Sequence, residues 1–328
     1  MKRFLRGWAK NEKWVNLILL AIAVVYPLLF GRAYLINVGT LCLINVLVSL
    51  SLNVLTGYMG ITGLGWAGFF GIGAYTAAIL STKLGWGFLA TLLAGAVTTA
   101  LCGILVGLPT LKLSGRYVAI VTMAFCEICR ALETNMDWLT RGSRGIPNIP
   151  RISLFGFRFP KWMQYYAILF LVILTMFIIH RIINSRLGRG ILAVKDDDIA
   201  ASAMGVDPFR YKVMTFAIAT AFAGLAGAFY AHYIGFIDPS NFTFDQSTIF
   251  ISMTIMGGLG NLMGSVLGGI SLTVLPEILR PLMDVRQIVY GVLLIIMMLV
   301  RPQGILGGFN LKHIRQQMSV RFGGEKHE

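Results

Sequence analysis

The side chains that could do chemistry in this sequence are few, and several of them stand inside long apolar runs. Glu127 and Arg130 are three residues apart, a spacing that lets two side chains pair on one face of a helix. Charged groups within a membrane span are costly and usually face protein or water. The spacing therefore favours a structural ion pair, with a polar contribution of Glu127 to a substrate path as the alternative.

Other reactive residue types lack the partners that catalysis or metal binding needs. Cys126 and Cys129 form a CxxC inside an apolar run, with no second pair and no clustered histidines, so small buried side chains are the favoured interpretation. His232 has no sequence partner and is predicted to be an interface residue rather than a proton relay. The sequence has no GxxxxGK[ST], GxSxG or HExxH motif. We predict a non-enzyme without metal or cofactor.

Composition indicates which elements must position these residues. The chain has 328 residues, of which 56% are hydrophobic and 13% charged, whereas a soluble domain carries about a quarter charged residues. Lipid cannot hydrogen-bond the backbone, and the apolar runs are continuous rather than alternating, so the spans are helices and not barrel strands. The net charge of +14 lies in short loops, which indicates membrane orientation rather than nucleic-acid binding.

Hydropathy predicts an all-α polytopic integral membrane protein with about 8–10 transmembrane helices. Basic residues are more numerous in the segments that lie on the same side of the membrane as the N-terminus, which favours a cytoplasmic location for both termini. The first apolar run is predicted to be an uncleaved span. Residues 1–310 form a single transmembrane domain with a cytoplasmic loop at 183–210, followed by a basic cytoplasmic tail at 311–328. The predicted spans are 14–30, 34–55, 62–82, 87–109, 117–135, 164–182, 211–235, 245–258, 263–279 and 286–300.

Two glycine-rich regions interrupt these spans, at 57–73 and 257–269. Small residues allow close helix packing, and Gly260, Gly264 and Gly268 are predicted to share one face of such a seam. The alternative for 57–73 is a broken or re-entrant helix whose exposed amides line a path and suit a carboxylate. The alternative for the second region is a gate-lining break near Gly257 and Gly258. Whether 245–279 crosses twice or re-enters stays open. The candidate path residues are Thr56, Gly57, Thr62, Gly65, Trp66, Glu127, Gly257 and Gly258.

The polar segment at 196–212 carries helix signals between two apolar runs. Aspartates at 196–198 suit a helix N-terminus, Gly205 suits its end, and Pro208 blocks continuation. This predicts a helix of two to three turns across the cytoplasmic mouth, with a narrow apolar stripe at Ile199, Ala203 and Val206. A solvated connector that touches nothing is the alternative.

The spacing Ala200-Ala201-x-x-x-Gly205 resembles the loop by which permeases of ATP-binding-cassette (ABC) importers dock on their ATPases. Many such loops place Glu before the alanines, where this chain has Ile199, with Asp198 one residue earlier. The resemblance to the M-type permeases of branched-chain amino-acid importers is carried by ordered segments over most of the chain. They are LNVLTGYMGITGLGWAGFFGIGAYTAAIL (52–80), GRYVAIVTMAFCEICR (115–130), GSRGI (142–146), LGRGILAVKDDDIAASAMGVDPFRYK (187–212), FAGLAGAFYAHYIGFIDP (222–239) and IMGGLGNLMGSVLGG (255–269).

The resemblance implies the permease subunit of an ABC importer for leucine, isoleucine and valine in a bacterial or archaeal cytoplasmic membrane. It implies an H-type permease partner, two cytosolic ATPases, an external solute-binding protein, and alternating access driven through the loop. Urea, short amides or another amino acid are alternative cargoes, and a stand-alone secondary transporter or channel is the distant alternative. The implied ATPase-coupling residues are Asp197, Asp198, Ile199, Ala200, Ala201, Met204 and Gly205.

Overall fold

The computed structural model describes residues 21–27, 33–111, 115–154 and 157–279, and the single residues at 291, 295 and 304. Within these residues the chain is almost entirely helical, which confirms the predicted all-α class. The strands found there are β1 (Ser153–Leu154) and β2 (Phe157–Arg158), paired antiparallel in a minimal hairpin. The predicted first span is described only at helical residues 21–27. The tail at 311–328 lies outside the described residues, as does the predicted tenth span apart from 291 and 295.

The described helices follow the remaining eight predicted spans. Among the described residues, four stretches are long and apolar enough to cross a membrane: Ala33–Met59, Phe88–Thr110, Lys161–Ile183 and Pro208–Ile234. The first continues through a π-helical turn, Val54–Met59. In chain order the helices are α1 (Ala33–Asn53), α2 (Trp66–Lys83), α3 (Phe88–Thr110), α4 (Gly115–Asn135), α5 (Asp137–Thr140), α6 (Lys161–Ile183), α7 (Arg186–Asp196), α8 (Asp198–Ala203), α9 (Pro208–Ile234), α10 (Phe244–Gly257) and α11 (Leu262–Ile278).

Hydrogen bonds near the helix ends show which loops lie together at each end of the bundle. At one end, which we name the inner end after the predicted orientation, Lys195 of α7 donates to the carbonyl oxygen of Gly57. At the outer end, Lys83 donates to the carbonyl oxygen of Trp138 at 2.8 Å. The helices α7 and α8 therefore lie at the end of the bundle where α1 finishes.

Glycines bring the backbones of α2, α3 and α9 together. A Cβ at Gly73 would overlap the backbone of Gly224, and one at Gly95 would lie 3.1 Å from the carbonyl oxygen of Gly73. A Cβ at Gly227 would overlap the carbonyl oxygen of Phe70. Small residues permit this backbone approach, which leaves α2, α3 and α9 as the tightly packed centre of the subunit.

The uncovered face of α3 is purely apolar. Leucine and valine recur there every fourth residue, which places them on one side of the helix. Each is more than half exposed: Leu89, Leu93, Val97, Leu101 and Leu105. This face has the composition of a lipid contact.

The helices α10 and α11 form an antiparallel hairpin against α1. Asn45 donates to the Thr273 hydroxyl at 2.9 Å, and the hydroxyls of Ser49 and Thr254 are 3.2 Å apart. With 14 residues, α10 is about 21 Å long, which is short against a hydrocarbon core of about 30 Å. The hairpin turn lies at the inner end, as the span prediction requires.

The predicted glycine seam of this hairpin is correct for two of its three residues. A Cβ at Gly264 would lie 2.5 Å from the carbonyl oxygen of Gly257, and one at Gly268 would overlap that of Met253. Gly260 is not on the seam. It lies in the turn with φ +74, because α10 ends at Gly257 and Asn261 caps the start of α11.

Candidate functional site

Three consecutive aspartates shape the inner-end segment, and each has a different position. Asp196 ends α7, Asp197 is extended, and Asp198 begins α8 and pairs with Lys212 of α9. The Asp197 carboxylate accepts from the backbone N–H groups of Ile199 at 2.8 Å and Ala200 at 3.0 Å. The predicted two-to-three-turn helix is therefore too long: the cap at Asp197 limits α8 to six residues, or about 1.7 turns.

The end of α8 follows the predicted signals. Gly205 adopts φ +79, a left-handed conformation that favours glycine. Asp207 then caps α9, accepting from the N–H groups of Phe209 at 3.1 Å and Arg210 at 3.3 Å. Pro208 takes the first turn of α9, where its missing N–H costs nothing. Both ends of α8 are thus fixed by local chemistry.

Two large apolar side chains project from this short helix and from the residue that follows it. Ile199 is 83% exposed and Met204 is 84% exposed, whereas Ala201 between them is buried. The predicted stripe of Ile199, Ala203 and Val206 is wrong at its last member, because Val206 packs against the hydrophobic core. An exposed isoleucine and methionine at a short, capped helix form a surface suited to docking in an apolar cleft.

Lys195 of α7 connects the inner-end segment with the first glycine-rich region. Its ammonium donates to the carbonyl oxygen of Gly57 at 2.6 Å, and a Cβ at Gly60 would lie 3.3 Å from its side chain. The carbonyl at Gly57 belongs to the π-helical turn that ends α1. The hydrogen bond therefore joins α7 to the inner end of α1.

Asn53 extends the connection to the α10–α11 turn. Its side-chain oxygen accepts from the N–H of Gly260 at 2.9 Å, and its amide donates to the carbonyl oxygen of Asn261 at 3.0 Å. Sequence reasoning missed both Lys195 and Asn53. The available signal for Asn53 was one amide side chain within an apolar run, three residues before Thr56.

The first glycine-rich region is broken, as one of the two alternatives predicted. The α1 helix and its π-helical turn end at Met59 and α2 begins only at Trp66, so residues 60–65 are non-helical. A Cβ at Gly65 would overlap the carbonyl oxygen of Thr122 in α4. The N–H groups of Leu64 and Ala67 donate to the hydroxyls of Thr122 and Ser247. These two amides are therefore occupied by protein groups.

The remaining candidate path residues of this region are mostly inside the subunit. Trp66 is fully buried and donates its indole N–H to the Ser51 hydroxyl at 2.8 Å. Thr56 is buried, and its hydroxyl has no hydrogen-bond partner among the described residues. Thr62 is half-buried. In the second region, Gly257 and Gly258 are buried at the end of α10, where Gly258 adopts φ 118.

Glu127 and Arg130 form the predicted ion pair, with Nη2 of Arg130 2.7 Å from Oε2 of Glu127. The pair is not enclosed, because the side chains of Arg130 and Glu127 are 45% and 41% exposed respectively. Glu133, further along α4, is buried, and its Oε2 atom has no hydrogen-bond partner among the described residues. One helix thus carries an uncovered ion pair and a buried acid.

His232 and the CxxC are packed as structural residues. The imidazole lies between the Thr91 hydroxyl, 2.8 Å from Nε2, and the carbonyl oxygen of Pro150, 2.7 Å from Nδ1. Cys126 and Cys129 are buried thiols. Within the part of the chain that the structure describes, no group of three or more His, Cys, Asp or Glu residues could hold a metal ion.

The fold defines a multi-span all-α membrane protein with a short capped helix exposed at one end, an architecture that suits a transport permease. The family model described as "Branched-chain amino acid transport system / permease component" matches residues 34–300. The chain belongs to this family of membrane permeases.

Curated relatives agree with this membership. The chain is 34% identical to the high-affinity branched-chain amino acid transport system permease proteins LivM of Salmonella typhimurium and Escherichia coli, over 98% of this chain and 80% of each relative. It is 31% identical to LivH of Salmonella typhimurium over 43% of this chain and 46% of that relative. No solved structure matches.

Proposed function

We propose that this chain is a membrane-spanning permease subunit of an ATP-driven importer for the branched-chain amino acids leucine, isoleucine and valine. The observation that carries the proposal is the capped helix α8, which presents Ile199 and Met204 outward while Asp198 anchors its start to α9. Membership in the permease family and 34% identity to LivM support this cargo.

The proposed assembly has four kinds of component. An H-type permease pairs with this chain, since the similar proteins LivM and LivH carry the name of the same transport system. Two cytosolic ATPases bind at the inner end, and a solute-binding protein delivers substrate at the outer end. The proposed location of this chain is the bacterial cytoplasmic membrane. ATP is hydrolysed by the partner subunits, and this chain supplies the path and the docking surface.

The proposed mechanism is alternating access driven through α8. Closure of the ATPases moves the docking surface, and the short capped helix transmits the movement as one rigid piece. Lys195 passes it to the π-helical turn at Gly57, and Asn53 passes it to the α10–α11 turn. The inner ends of α1, α10 and α11 then move together, which opens or closes the inner mouth.

Reconstitution tests the function and the cargo. The complete importer in liposomes is supplied with ATP on the ATPase side and with its binding protein on the other. Initial uptake of radiolabelled leucine, isoleucine, valine and urea is then compared. We expect ATP-dependent uptake of the three amino acids above that of urea. Uptake of urea alone would contradict the cargo, and uptake that continues without ATP would contradict the class of transporter.

A further inference from the structure

The Glu127–Arg130 pair places two charges inside α4, which the sequence predicts as a membrane span although it is not among the four described helices that are apolar enough to cross a membrane. Glu127 lies about 18 Å from the first residue of α4 and about 12 Å from its last, near the middle of the span. Flanking residues one turn away on each side, Ala124 and Ala131, are exposed as well. No described part of the chain covers this face.

Lipid is an unfavourable environment for a helix face that carries Glu127 and Arg130. A charged side chain near the bilayer centre costs several kcal/mol and normally adjoins protein or water. Elsewhere this chain makes uncovered membrane faces from apolar residues, as at Leu93, Val97 and Leu101 of α3. The uncovered surface of α4 also carries exposed Ile120 and Ile128, so the charged pair interrupts a largely apolar surface. The polar neighbour that the pair requires therefore lies at the level of Glu127 and Arg130.

The pair also has donors and acceptors that its own hydrogen bonds do not use. Both Nε, at 2.9 Å, and Nη2, at 2.7 Å, of Arg130 donate to the same atom, Oε2 of Glu127. A guanidinium has five N–H donors, and a carboxylate has two oxygens. Among the described residues, neither Oε1 of Glu127 nor the remaining Arg130 donors have a partner.

We propose that Glu127 and Arg130 bind the charged groups of a zwitterionic amino acid as it passes through a water-filled path along α4. The free Arg130 donors receive the α-carboxylate, and Oε1 of Glu127 receives the α-ammonium. The small side chains of Ala124 and Ala131 leave room for the ligand beside the pair. This inference rests on the proposed function, because it assigns two residues to the recognition of its cargo.

A double substitution separates this role from a purely structural ion pair. Glu127→Leu together with Arg130→Leu removes both charges and leaves an apolar helix face. We expect ATP-dependent leucine uptake in liposomes to fall at least tenfold, with the melting temperature of the purified complex unchanged or raised. The matched control is Arg158→Leu, at an exposed cation outside the spans, which we expect to leave uptake unchanged. Wild-type uptake by the double variant would overturn the proposal.

Water accessibility provides a second, independent measurement. A thiol introduced by Ala124→Cys is compared with one introduced by Val97→Cys on the apolar face of α3. A charged methanethiosulfonate, which reacts with thiolates only in water, is applied to the complete importer, and the unmodified chain corrects for its own cysteines. We expect at least tenfold faster labelling at position 124 than at position 97, and protection by leucine at position 124. Equal, slow labelling at both positions would place the α4 face in lipid and overturn the inference.

The outcomes also distinguish the two levels of argument. If the unmodified importer takes up no branched-chain amino acid, the proposed function fails, and the assignment of these residues to that cargo fails with it. If the unmodified importer and the double-leucine variant take up leucine equally, the proposed function stands and only the role of the ion pair is refuted.

Discussion

Replacing Ile199 by alanine tests the docking surface most directly. The substitution removes three carbon atoms from a side chain that is 83% exposed in the isolated subunit. At about 0.8 kcal/mol for each buried carbon, scaled by that exposed fraction, a docked Ile199 contributes about 2 kcal/mol that the variant loses. Since about 1.4 kcal/mol corresponds to a factor of ten, we expect the permease to bind its ATPases about 30-fold more weakly.

The assay is the dissociation constant between permease complexes in nanodiscs and the purified ATPases, measured by biolayer interferometry. Fold stability should not change, because Ile199 buries little surface within its own chain. Leu259→Ala is the matched control, since Leu259 is also an exposed aliphatic residue at the inner end but lies in the α10–α11 turn. An unchanged dissociation constant for Ile199→Ala, or equal losses for both variants, would refute the assignment of α8 as the docking site.

Three further substitutions test other contacts within the subunit. Lys195→Met removes the charged hydrogen bond to the carbonyl of Gly57, so we expect ATPase binding to persist while ATP-dependent uptake falls severalfold. Gly264→Ala forces a Cβ against a facing backbone carbonyl and should destabilise the protein by about 1–3 kcal/mol in thermal melts, whereas Gly87→Ala, with open space around it, should not. Trp66→Phe deletes a buried indole hydrogen bond and should lower the free energy of unfolding by about 1–2 kcal/mol in the same thermal measurement, while the affinity of the importer for leucine stays unchanged. An unchanged melting temperature would contradict the packing of this tryptophan.

The long spans were predictable because a continuous apolar run of about 20 residues has one stable solution in lipid. The inner-end loop was harder to predict. Residues Asp196, Asp197 and Asp198 offer the same capping chemistry, and the sequence does not show which of them leaves the helical conformation. Packing of Asp198 against Lys212 is a tertiary contact that distinguishes the three. Only after that choice is made do the length of α8 and its exposed residues follow.

The candidate path was less predictable because hydropathy does not report which way a helix faces. Trp66 follows a glycine-rich break, which suggested a residue beside a path, yet its ring is fully buried against Phe69 and Phe216. The spacing of Glu127 and Arg130 did predict their ion pair. Their exposure depends on how α4 packs, which the spacing does not encode.

The apolar face of α3 has a mechanical consequence. From Leu89 to Leu105 this face covers about 24 Å along the helix axis, close to the hydrocarbon thickness of about 30 Å. A shift of α3 along the membrane normal would therefore expose apolar side chains to water or bring the polar helix ends into lipid. Because glycine contacts hold α2 and α9 tightly against α3, that resistance keeps all three at a constant depth. In the proposed transport cycle, α2, α3 and the membrane-spanning part of α9 form a stationary frame, and the movement occurs at the inner ends of α1, α10 and α11. Hydrogen exchange should find its slowest amides in this trio.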